Sequence, residues 1–124
     1  MNLSLISGSF AVCRLAPDAD VPSWAWRDRT LLAITYTADE LSIVCPATSV
    51  PADVLCERPW SALKVAGPLD FSLTGILAVL TAPLADAGIP IFAISTFDTD
   101  YVLVKEHDLL RTCEVLEEAG HIFV

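Results

Sequence analysis

The side chains with the most chemical potential lie in one run, Gly67-Pro68-Leu69-Asp70-Phe71-Ser72-Leu73-Thr74-Gly75, between a predicted strand and a predicted helix. A strand-to-helix turn of this kind directs unpaired N–H groups at one point, where they can hold the carboxylate of a small ligand. Asp70, Ser72 and Thr74 are also ordinary helix-capping residues, so both readings stand at this level. A second polar cluster, Asp98-Thr99-Asp100, falls at a tight turn, where aspartates either shape the backbone or offer a carboxylate to a ligand. The pair is too sparse for a calcium loop, which needs more oxygen ligands and a glycine. His107 and His121 are isolated from any candidate nucleophile, and no phosphate-binding glycine motif is present. Cys13, Cys45, Cys56 and Cys113 form no C-x-x-C pair and have no zinc-ligand spacing. The expectation is a protein that is not an enzyme, with no metal and no cofactor.

Composition narrows the partners. Of 124 residues, 54% are hydrophobic and 19% charged, an apolar share that points to surface covered by a second copy, a homodimer. Acidic residues outnumber Lys and Arg by 16 to 7, so nucleic acid and anionic membranes are excluded as partners for want of clustered cations. Cys13, Cys45 and Cys113 fall on apolar faces of predicted elements and read as reduced, small hydrophobes. The first ten residues lack the basic start and long apolar run of a signal peptide. The apolar stretch 75–94 is interrupted by Pro83, Gly88 and Pro90, so it reads as helix, turn and strand rather than a membrane span. These features point to a soluble cytoplasmic protein.

The elements that must position the two polar clusters follow from periodicity. Residues 3–6 and 10–15 predict two strands, or one strand bulged at Gly8. Residues 22–27 predict a helical turn whose Trp24 and Trp26 close the end of a small core. Residues 31–36 and 41–45 predict a hairpin, and 51–59 a polar connector with a helical turn near 53–57. A strand over 60–65 precedes a helix over 72–87, whose Leu73, Ile76, Leu77, Leu80 and Leu84 make one buried stripe. Pro83 should bend that helix, because it removes the N–H that would bond the Val79 carbonyl. Strands over 89–97 and 101–105, a helix over 109–119 and a strand over 121–124 complete the chain. The second half therefore reads strand-helix-strand-strand-helix-strand, with two helices on one face of a four-stranded antiparallel sheet: an α+β, ferredoxin-like arrangement. The first half offers about four more strands, about eight in total, as an incomplete copy of the same unit.

The run 67–75, followed by Gly88-Ile-Pro-Ile-Phe-Ala-Ile-Ser-Thr-Phe-Asp-Thr-Asp-Tyr-Val-Leu-Val104, resembles the ACT domain family. Within it, the chain is similar to small bacterial proteins with two ACT units that are related to the cytosolic arginine sensors. The resemblance is strongest over 58–120, and implies a degenerate ACT-like unit over 1–57 beside a complete ACT domain over 58–124. It further implies a regulatory protein that binds a small molecule, an amino acid, between ACT units of two paired protomers. On that resemblance, Asp70, Phe71, Ser72, Thr74 and Gly75 surround the ligand, Thr96 and Phe97 form the wall, and Asp100 meets a cationic group. Ile91 of the facing protomer closes the pocket. Leu73 replaces a glutamate of the arginine sensors and Pro90 replaces a serine, so a smaller or less charged amino acid fits at least as well as arginine. The alternative is an ACT-like dimerisation module that has lost its ligand.

Overall fold

Runs of β-branched and apolar residues alternate along the chain with two stretches of helical spacing. The computed structural model, which describes residues 1–67, 69–70 and 74–124, turns these into seven strands and two helices. In chain order they are β1 (Asn2–Leu15), β2 (Ala33–Tyr36), β3 (Leu41–Pro46), β4 (Cys56–Val65), α1 (Ile76–Asp86), β5 (Ile91–Ser95), β6 (Asp100–Lys105), α2 (Leu109–Glu118) and β7 (Ile122–Phe123). The predicted strands 3–6 and 10–15 are one strand, with Gly8 at φ +92° where a side chain would be strained. That merger is one reason the count is seven and not eight. The connector predicted to reach residue 59 is likewise shorter, since β4 begins at Cys56. The chain falls into two units, one made of Met1–Ser7 with Ser61–Val124, the other of Gly8–Trp60.

The first unit follows the predicted order of strand, helix, strand, strand, helix, strand, but its sheet is not the four-stranded antiparallel one. Residues 2–7 of β1 stand between β4 and β7, giving the order β7-β1-β4-β6-β5. β7 runs parallel to β1, with Asn2 opposite Ile122 and Leu3 opposite Phe123. Bonds from the Ala66 N–H to Asn2 (2.8 Å) and from the Val124 N–H to Leu3 (2.8 Å) hold β1 on its two sides. The inserted strand also brings Leu3, 1% exposed, into a core with Leu63, Val65, Leu80, Leu84, Val102, Val104 and Leu116. Burying each such leucine contributes roughly 1.5–3 kcal/mol. The predicted stripe on α1 is present at Leu80 and Leu84, with Ile76 and Leu77 packed against the core, while Leu73 lies outside the described residues. Pro83 sits inside α1, and His121 Nε2 stands 3.2 Å from the carbonyl that the proline leaves without a helical donor.

In the second unit β2, β3 and β1 pair antiparallel, with Ile34 opposite Ile43 and Cys13 opposite Ile43 from the other side. Ala11, Cys13, Ala25, Leu41, Ile43, Cys45 and Val50 form its core. Cys13 and Cys45 are thus buried free thiols packed as small apolar groups. The predicted tryptophan turn is a 3₁₀ turn over Ser23–Trp26, and only Trp24 packs on the core. Trp26 is 46% exposed and lies under the Arg29 guanidinium, 5.4 Å from its ring centre. The Arg58 guanidinium donates to the carbonyls of Ala47 and Val50 (3.2 Å each), fixing the turn after β3.

Candidate functional site

Two turns of the first unit meet beside the start of α1. One follows β4, its described residues being Gly67, Leu69, Asp70, Thr74 and Gly75; the other joins β5 to β6 and runs from Thr96 to Thr99. The Leu69 N–H donates to the Asp98 carbonyl (2.6 Å), and the Thr99 hydroxyl donates to the Val65 carbonyl (2.7 Å). Gly67 permits this approach: a Cβ there would stand 3.1 Å from both the Asp98 carbonyl oxygen and the Thr99 Cβ. Within the second turn, the Thr99 carbonyl accepts from the Thr96 N–H (2.8 Å) and the Thr96 hydroxyl (3.0 Å).

Between these turns lies a cleft of about 320 Å³. Small-molecule pockets span about 300–1,000 Å³, so this one suits a metabolite and not a macromolecule. Gly75, at φ +75°, is the N-cap of α1 and has no side chain to bond the first-turn amides. Those amides carry the positive end of the helix dipole, and both Ile76 and Leu77 line the cleft. Asp70, Asp98 and Asp100 line it too, and among the described residues no Lys, Arg or His does. One wall can therefore receive an anionic group and the rim a cationic one. Among the described residues, no group of His, Cys, Asp and Glu side chains is arranged to hold a metal ion.

Of the residues predicted for the site, Asp70, Gly75, Thr96, Phe97 and Asp100 come together around the cleft. Phe71 and Ser72 lie outside the described residues. Thr74 is exposed next to Gly75 and is not part of the described lining. Ile91 opens β5 opposite Val104 and packs against its own unit's core, away from the cleft. Phe97 is 79% exposed at the tip of its turn, an apolar wall with one side bare. Leu69, Ile76, Leu77, Ser95, Asp98 and Thr99 also line the cleft and lie outside the predicted ligand set, although the sequence already marks Asp98 and Thr99 as turn residues. For Thr99 the signal was available: a threonine between two aspartates in a tight turn is placed to bond backbone on both sides. Among the described residues, no helix is long and apolar enough to cross a membrane.

Comparison with known proteins gives the site a setting. Residues 55–118 match the ACT domain family, and residues 8–53 match a second family described as an N-terminal domain. The crystal structure of Atu0741 from Agrobacterium tumefaciens superposes with a TM-score of 0.93 at 41% identity, over 99% of this chain and 91% of that one. The human cytosolic arginine sensor for mTORC1 subunit 1 is 34% identical over 96 residues. That match covers 71% of this chain and 29% of the sensor, so the chain spans under a third of that relative's length. The aspartokinase α and β subunits share the fold alone, with a TM-score of 0.63 at 16% identity over 97% of each chain.

Proposed function

Because the chain belongs to the ACT domain family, we propose that it is a non-catalytic regulatory protein that binds an amino acid in the cleft beside α1. The observation that carries this reading is the meeting of side-chain-free first-turn amides at Gly75 with three carboxylates in one cleft of metabolite size. An α-amino acid has the matching pair of charges. Its carboxylate would lie at the amides that follow Gly75, and its ammonium or a basic side chain at Asp70 or Asp100. Thr96 and Phe97 would wall the ligand, with Phe71, Ser72 and Thr74 contributing from the first turn as the family resemblance implies. A second protomer would pair with the first, its Ile91 covering the bare side of the cleft. Such pairing places two equivalent sites about a twofold axis. In this reading residues 58–124 supply the elements of the complete ACT unit, whose sheet takes in residues 2–7 as an added strand. Residues 1–57 otherwise form the degenerate ACT-like unit, and the protein works in the cytoplasm as its named relative does.

The exposed ring of Phe97 also favours a second reading, in which the chain is a dimerisation module without a ligand. A melting-temperature screen against the twenty amino acids separates the two. A ligand at one hundred times its Kd adds about 2.7 kcal/mol to the folded state, a shift of many degrees. Asp100→Ala should abolish the shift given by a basic amino acid while leaving the unliganded melt unchanged. A shift of equal size in the variant would remove Asp100 from the site, and silence across the whole panel would favour the dimerisation module. Light scattering checks the pairing, and a strict monomer at every concentration would exclude it.

A further inference from the structure

Thr99 stands apart from its neighbours in the β5–β6 turn. Phe97 is 79% exposed, whereas Thr99 is 4% exposed. Every polar group of Thr99 is used. Its hydroxyl donates to the Val65 carbonyl at 2.7 Å, its N–H faces the Thr96 hydroxyl at 3.3 Å, and its carbonyl accepts from Thr96 at 2.8 and 3.0 Å. The first of these bonds leaves the turn altogether and ends on β4, at the root of the other wall. One residue before Thr99, the Asp98 carbonyl accepts from the Leu69 N–H at 2.6 Å, and Gly67 has no Cβ to hold the two turns apart.

Resting on the amino acid reading of the cleft, we propose that Thr99 is the positioning residue that locks its two walls together and so sets its width. The hydroxyl holds the 96–99 turn against β4. With the turn held, the Asp98 carbonyl stays in reach of Leu69, and Asp70 keeps its separation from Thr96 and Asp100. The ligand touches Thr96 and Asp100, while Thr99 acts through them. Losing the hydroxyl frees the turn to swing away, and the opposite wall loses its anchor at Leu69. This makes the two turns a single mechanical part.

The test pairs amide exchange by NMR with calorimetry on the full chain. Thr99→Val keeps the shape and removes the donor, and exchange at the Leu69 amide should accelerate about tenfold or more. Exchange at Leu103, in the middle of β6, should stay as in the wild type. Thr99→Ser should return Leu69 to within about threefold of wild type, since it restores the hydroxyl. A Thr99 that only stiffens its own hairpin would loosen the Thr96 amide and leave Leu69 protected, and that result overturns the proposal. If Thr99→Val does not fold, Gly67→Ala presses on the same contact from the other wall, and Leu69 exchange is read there with Thr99→Ser alongside. In the calorimeter L-arginine, L-alanine and L-aspartate are the probes. Any that binds the wild type should bind Thr99→Val at least tenfold more weakly and Thr99→Ser nearly normally, and equal affinity in Thr99→Val overturns the proposal. If none binds the wild type and the twenty-amino-acid melting screen is silent as well, the amino acid reading falls, while the Leu69 measurement still decides whether Thr99 locks the walls.

Discussion

Pro83 and His121 make a prediction whose size can be worked out in advance. Proline at 83 denies the Val79 carbonyl its helical N–H, and His121 Nε2 stands 3.2 Å from that oxygen. A carbonyl only accepts, so Nε2 carries the proton and donates. His121 is 7% exposed, so its ring is held in place by packing as well. Replacing it with alanine leaves the carbonyl without this donor, which costs about 1–3 kcal/mol when water is excluded. Val79 itself is 50% exposed, so water reaches part of that surface and the lower end, about 1 kcal/mol, applies. Pro83→Ala supplies a new N–H at the helical position, and in that background His121→Ala should lose only its packing share and the bond from the Met1 ammonium to Nδ1 (3.1 Å), both of which cancel in the cycle. The double-mutant cycle should therefore show a coupling of about 1 kcal/mol, worth about 3–5 °C in melting temperature for a chain of this length. Urea denaturation followed by circular dichroism is the assay, because Trp24, Trp26 and Trp60 all lie outside the unit that carries the helices. Additivity within about 0.3 kcal/mol would refute the idea that histidine substitutes for the missing amide.

Thr112 is fully buried on α2 and its hydroxyl has no hydrogen-bond partner among the described residues, so Thr112→Val should stabilise the fold by about 1 kcal/mol. A lower urea midpoint in that variant would contradict the assignment. Burial raises the Cys56 and Cys113 thiols above 9.0, so their share of stability is whole below pH 9 and is lost as pH rises through the raised values. Iodoacetamide at pH 8 should therefore label both more slowly in the native protein than in urea, and equal rates would show that burial does not protect them. The Thr30 hydroxyl and N–H bond Asp28 and hold its carboxyl below 3.8. Its contribution is present above that pH and fades as acid protonates it, so an NMR titration should place the Asp28 midpoint below 3.8. A midpoint at or above that value would show the turn is open in solution.

Local pattern carried much of this fold. The helix predicted over 109–119 is Leu109–Glu118, and the strands predicted over 31–36 and 41–45 pair as a hairpin, because spacing and turn residues are properties of neighbours in sequence. α1 begins at Ile76, later than the predicted 72, since Gly75 adopts a left-handed conformation that ends the non-helical approach. The place of β1 between β4 and β7 was not legible: the pairing of Leu3 with Phe123 joins residues at opposite ends of the chain. His121 shows the same divide. The orphaned Val79 carbonyl could be read from Pro83 alone, but the donor that meets it lies far along the sequence. At the cleft, the aspartates and glycine were readable as types, whereas the bond from Thr99 to Val65 depends on how two separated turns pack.

The path of β1 limits how the ACT unit can be moved or dissected. A fragment beginning at residue 58 would keep both helices and the whole cleft, yet β4 and β7 would face a gap where a strand had been. Two bare edges beside an unfilled space at Leu3 are a template for aggregation. Grafting this unit onto another protein would mean carrying the amino-terminal segment along, or adding it back as a free peptide. Assembly has the same requirement, because the sheet cannot close until its first and last strands have both been made.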